Sequence, residues 1–144
     1  MWLEQVGLRV TDIKRSVRFY TKGLGLKVVA RGDTRSWGGG LWVQLQDPRS
    51  RRVVELNWYP KGSRFYTPYK AGDALDHIDV TLGVASRARL EKEHRRLLRL
   101  GARPTRYDPS TTEGWMASVQ DPDGVWITLG RRPTAAERRA MSKA

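Results

Sequence analysis

Gln5, Glu55 and His77 are the residues whose chemical types could act together. An amide oxygen, a carboxylate and an imidazole converging in a cleft suit a divalent metal such as Zn, Ni, Co, Mn or Fe. Glu55 stands between Val54 and Leu56 in an apolar run. A carboxylate there must face solvent or a polar cavity, because unpaired burial costs several kcal/mol. Gln5 shares its strand face with Arg9, opposite the stripe of Val6, Leu8 and Val10. Spacing alone does not select a metal site over structural roles. His94, at helical spacing with Leu90, Leu97 and Leu98, reads as a helix-face residue without a site role.

The elements that must position these residues fall into a repeat. Strand alternation over Leu3–Val10 leads to Asp12 as an N-cap, then Ile13, Val17 and Tyr20 recur at helical spacing before Gly23 and Gly25. Strand-like runs follow at Leu26–Arg31, Leu41–Gln46 and Arg52–Asn57. The order then restarts. A strand over Leu75–Leu82 precedes a helix capped by Ser86 and ended at Gly101, with strands near Arg103–Tyr107, Trp115–Gln120 and Val125–Leu129. Residues repeat as well. Gln46-Asp47-Pro48 returns as Gln120-Asp121-Pro122, Val54-Glu55-Leu56 as Ile127-Thr128-Leu129, and Gln5-Val6 pairs with His77-Ile78. The predicted fold is therefore α+β, two βαβββ modules spanning 1–72 and 73–130 within one domain of residues 1–130. Residues 131–144 form a basic C-terminal tail.

Composition narrows the classes. Cysteine is absent, which excludes a disulfide framework, a thiolate zinc site and a Cys nucleophile. The longest uncharged run, Ser36–Gln46, is far short of the ~20 apolar residues a bilayer span needs, and the N-terminus lacks signal-peptide order. A cytoplasmic protein without membrane attachment is expected. Lys and Arg number 27 against 15 Asp and Glu, a formal charge of +12. Eight basic and two acidic residues lie within Ser86–Arg106, and five basic and one acidic within the tail, so the excess belongs to one helix region and an extension. It says little about a ligand at Gln5 and Glu55, and nucleic acid is disfavoured as a partner.

From Gln5 to Gly130 the chain resembles the vicinal oxygen chelate superfamily, the glyoxalase, bleomycin-resistance and extradiol dioxygenase group. Gln5–Asp12, Ser16–Tyr20 and Leu24-Gly25-Leu26 carry the match, with Val54–Trp58, Asp76-His77-Ile78 and Asp121–Ile127. The resemblance implies paired βαβββ modules whose curved mixed sheets form a shared cleft, a homodimer, and metal ligands at the positions of Gln5, Glu55, His77 and residue 128. The Gln, Glu, His set is most similar to the lactoylglutathione lyase branch. There Arg9 would clamp a ligand carboxylate, and Glu55 would double as base. In that branch the last ligand is a Glu that moves a proton on a hemithioacetal. Thr128 can neither take the proton nor balance a cation, which argues against ordinary glyoxalase I activity.

The expected function is a glyoxalase-like small-molecule protein, a lyase or isomerase acting on an oxygen-rich or anionic substrate if a divalent metal is bound. Arg9, Asn57, Trp58, Tyr66, Trp115 and Thr128 are the expected substrate contacts, because ligand cavities are mostly apolar and aromatic with a few polar groups. No organic cofactor is evident. A non-catalytic binding protein of the resistance or sequestration type is the alternative, although bleomycin-type drugs are cationic and this chain is basic. A binder of nucleic acid or acidic surfaces through the basic helix and tail is the third.

Overall fold

The computed structural model describes residues 4–34, 38–63, 66, 79–131, 134, 135 and 139. The chain divides into two compact units, Met1–Asp73 and Ala74–Ala144. Among the described residues each contributes a four-stranded mixed sheet with a helix between its first two strands, which makes the fold α+β.

In the first unit, β1 (Val6–Arg9), α1 (Ile13–Arg18), β2 (Lys27–Asp33), β3 (Leu41–Gln46) and β4 (Val53–Trp58) build a sheet of order β1-β4-β3-β2. β1 runs parallel to β4, and the other pairs are antiparallel. Asp12 caps α1, its carboxylate accepting from the Arg15 N–H at 3.0 Å. The helix does not run on to Gly23 as a regular α-helix. It widens into a π-helical turn at Phe19–Gly23, where the Thr21 hydroxyl donates to the Val17 carbonyl at 2.7 Å. The widened turn still buries Phe19 and Tyr20. Leu8, Val10, Val43, Leu45 and Leu56 complete this core.

In the second unit, β5 (Asp79–Val84), α2 (Arg87–Arg99), β6 (Arg103–Pro104), β7 (Met116–Gln120) and β8 (Trp126–Arg131) give the order β5-β8-β7-β6, again with one parallel pair, β5 with β8. Ser86 caps α2 through the Arg89 N–H. Leu90, His94 and Leu97 bury one stripe of the helix, so His94 belongs to the packing face. β6 is shorter than the expected Arg103–Tyr107. Pro104 lacks an N–H, and the Thr105 hydroxyl donates to the Ser118 carbonyl in place of a ladder bond. The two hairpin turns share their chemistry. Asp47 Oδ2 accepts from the Ser50 N–H, and Asp121 Oδ1 accepts from the Asp123 and Val125 N–H groups at 2.8 and 2.9 Å. In the second turn Gly124 takes φ 97°, a conformation that favours glycine.

Candidate functional site

β-alternation assigns one face of the first sheet to Gln5, Gly7 and Arg9, to Trp42, Gln44 and Gln46, and to Glu55 and Asn57. The register places Gln44 and Gly7 on either side of Glu55, and Trp42 and Arg9 on either side of Asn57. Hydrogen bonds join the polar members. The Gln44 amide donates to Gln5 Oε1 at 2.7 Å and to Glu55 Oε2 at 3.1 Å, while the Asn57 amide donates to Glu55 Oε1 at 3.2 Å. Both carboxylate oxygens are thus held, and the carboxylate is half-buried. A Cβ on Gly7 would lie 3.4 Å from the Asn57 amide, so a glycine there leaves that amide its room. Arg9 places its guanidinium 4.3 Å from the centre of the buried Tyr59 ring.

The expected residues are therefore brought together in part. Gln5, Glu55, Asn57 and Arg9 share one face. Trp58 falls by alternation on the opposite face with Val54 and Leu56, paired with Leu41. Tyr66 is exposed beside a turn in which its N–H donates to the Ser63 carbonyl at 2.9 Å. His77 lies outside the described residues. In the second unit, Thr128 is buried, while Trp115 belongs by alternation to the other sheet face, under the Arg131 guanidinium at 4.1 Å. Trp115 there lines a groove of about 450 Å³ with Ala85, Arg87 and Glu113. The groove of the first unit, about 590 Å³, runs between α1 and β2–β3 and includes Trp42 but not Gln5, Gln44 or Glu55.

Gln44 is the member of the cluster that sequence reasoning missed. Its signal was present: counting back across the hairpin from Glu55, with Asp47 and Arg52 closing the turn, puts Gln44 opposite the carboxylate.

The second unit carries a comparable cluster. Thr128 Oγ1 lies 3.0 Å from both Ser118 Oγ and Asp79 Oδ2, and its hydroxyl can donate to the carboxylate. Ser118 faces Thr128 across β7–β8, as Gln44 faces Glu55 across β3–β4. The register also shows which described residue of β5 stands level with Gln5. Val6 stands opposite Val54, and Val80 opposite Ile127, the counterpart of Val54 in the repeat. Asp79, immediately before Val80, stands level with Gln5 in this register, while His77 lies outside the described residues.

The donor chemistry of the first cluster fits a divalent cation. Gln5 Oε1 and Glu55 Oε2 are oxygens of the type that suit hard and borderline divalent ions, and both now accept from the Gln44 amide, whose N–H groups a cation between them would displace. Among the described residues no group of three or more His, Cys, Asp or Glu side chains is assembled. Any such cation would depend on amide oxygen as well as carboxylate.

Residues 2–129 match the family model described as Glyoxalase/Bleomycin resistance protein/Dioxygenase superfamily. The chain is 32% identical over 127 residues to the lactoylglutathione lyase of Escherichia coli O157:H7, covering 85% of this chain and 86% of that protein. The Salmonella typhimurium lactoylglutathione lyase is 31% identical over the same length. Among solved structures, the trypanothione-dependent glyoxalase I of Leishmania major superposes with a TM-score of 0.70 at 28% identity, covering 99% of this chain and 91% of that one. The fosfomycin resistance protein FosX of Listeria monocytogenes, solved with Mn(II) and a dihydroxypropylphosphonic acid, shares the fold at a TM-score of 0.66 and 13% identity, over 95% and 96% of the two chains.

Proposed function

Because this chain belongs to the glyoxalase/bleomycin resistance protein/dioxygenase superfamily, we propose that it is a divalent-metal-dependent lyase or isomerase acting on an oxygen-rich or anionic small molecule. The observation that carries this reading is the convergence of Gln5 Oε1 and Glu55 Oε2 on the Gln44 amide. Gln5 and Glu55 would hold the ion, which would supply Lewis acidity toward a substrate oxygen. Glu55 is the one carboxylate of its cluster, so it doubles as the proton acceptor. Gln44 and Asn57 fix its orientation by donating to its two oxygens. Arg9, braced on Tyr59, offers a guanidinium fork to a substrate carboxylate. The family resemblance adds His77 as a third ligand and a homodimer as the working assembly. Similarity to lactoylglutathione lyases makes the hemithioacetal of glutathione the first substrate to assay.

Thermal-shift titration with Ni, Co, Mn and Zn tests the reading. At one hundred times Kd a native-state ligand adds about 2.7 kcal/mol of stability, so a clear upward shift is expected from at least one metal, lost in Glu55→Gln and reduced in His77→Ala. No shift from any of the four would overturn it.

One observation favours a second reading, a non-catalytic binding protein on the same fold. Thr128 is neutral and already engaged with Ser118 and Asp79. Under this reading a small-molecule ligand binds without turnover, and Thr128→Glu does not create hemithioacetal activity.

A further inference from the structure

We propose that the groove between α1 and β2–β3 binds an anionic amphiphile, a small molecule whose apolar chain ends in a carboxylate. The groove encloses about 590 Å³, within the ~300–1,000 Å³ of small-ligand sites. Gln5, Gln44 and Glu55 take no part in its lining, so the inference stands apart from the metal reading.

Its floor is apolar. Ile13 and Val17, about one turn apart on α1, line it together with Leu41 and Val43, which share one face of β3. Their burial is incomplete. Val43 is buried, Ile13 and Val17 are half-buried, and Leu41 is 40% exposed. A hydrocarbon chain laid between helix and sheet would take this remaining apolar surface out of water.

Its rim is cationic. Lys14 and Arg18 border it from α1, Lys22 from the π-helical turn and Arg31 from β2, and all four are exposed. Arg31 stands level with Val43 and Asp33 with Leu41, so the sheet side of the rim shares the face of the apolar floor. Asp33 is the one acid of the lining among the described residues. Lys14 and Arg18 are like charges at i,i+4, a spacing that destabilises a helix. Among the described residues Lys14, Arg18 and Arg31 pair with no carboxylate. A ligand carboxylate would relieve that repulsion, and an arginine fork matches its two oxygens. Apolar floor and basic rim together favour a negatively charged chain over a neutral or cationic one.

Decanoate is the probe. Titrated into the full chain and followed by two-dimensional amide NMR, it should shift the amides of residues 13–22, 31–33 and 41–43. Acetate, which keeps the charge without the chain, and decyltrimethylammonium, which keeps the chain with the opposite charge, should leave them in place at the same concentration. Calorimetry should show decanoate affinity lowered at least tenfold in the double variant Arg18→Glu, Arg31→Glu and severalfold in Leu41→Ser. All three residues are exposed, so the core is kept. If the double variant fails to fold, Arg18→Gln carries the charge test, and unchanged affinity there counts against the proposal. Absence of decanoate binding, shifts that fall elsewhere in the chain, or an equal response to decyltrimethylammonium would overturn it. Capture by anionic phospholipid vesicles without any response to decanoate would assign the basic rim to a membrane surface and overturn it as well.

Discussion

Glu55 does not stand alone on its sheet face, and Gln44 is the reason. One amide bridges an oxygen of Gln5 and an oxygen of Glu55, so its removal acts on stability and on binding together. Gln44→Leu should cost about 1–3 kcal/mol, the range for leaving half-buried polar partners unsatisfied, and should also weaken any metal response. Urea unfolding followed by metal titration reads both, and a variant that lost only one would separate the bridge from the site. A second expectation concerns Asp47. Hydrogen bonds from the Ser50 hydroxyl first, then the Ser50 N–H, hold its carboxyl below the ordinary range, against a small opposing effect of burial. A carboxyl depressed in the folded state contributes stability above its unfolded pKa and loses it as pH falls through the folded value. Ser50→Ala should therefore destabilise at neutral pH, and the gap from wild type should close below about pH 4. Urea midpoints at stepped pH give the comparison, and a gap unchanged into acid would remove Ser50 as the cause. At this scale the sequence exposed Gln5, Arg9, Glu55 and Asn57, because alternation puts them on one side. It did not expose the hydrogen bond between Thr128 and Asp79. A carboxylate two residues past a histidine looks like decoration until the parallel register of β5 on β8 is known, and register between distant strands leaves no local mark.

Among the elements, the helices were the most legible. Asp12 and Ser86 announce their caps by type, and Leu90 and Leu97 share the buried stripe of α2. The extension of α1 into a π-helical turn was not legible, since Ile13, Val17 and Tyr20 fit a regular helix equally well. Strands β3 and β4 appear close to their expected bounds because Asp47 marks the turn between them. Entry into β3 depends on a tighter contact. A Cβ on Gly40 would lie 2.5 Å from the Trp58 carbonyl oxygen and 2.7 Å from the Tyr59 ring, and backbone cannot yield as a flexible side chain can. Gly40→Ala should lose about 1–3 kcal/mol, as overpacking does, and should disturb the Tyr59 ring on which Arg9 rests. Chemical denaturation and near-UV circular dichroism would detect both effects. Full stability in this variant would show that the strand ends slide freely.

For the whole molecule, the +12 charge is a net value in which the acidic partners of the arginines are already counted. On α2, Arg87 pairs with Glu91, and Arg89 and Arg96 both pair with the buried Glu93. These pairs hold three of the helix's arginines against its own two glutamates. No helix among the described residues is long and apolar enough to cross a membrane. The repeat itself was readable from order and from Asp47/Asp121, whereas the arrangement of charge within it was not.

That repeat has a kinetic consequence. Every strand of the first sheet comes from residues 6–58, and every strand of the second from 79–131, so neither sheet must wait for chain from the other half to close. Within each half the longest closure is the parallel pair, Val6 with Val54 and Asp79 with Trp126, a non-local step that slows folding but leaves each half its own cooperative opening. Native-state hydrogen exchange should resolve two sets of amides with distinct opening free energies, split between β4 and β5. A single shared opening energy across both sheets would mean that the halves are welded into one folding unit.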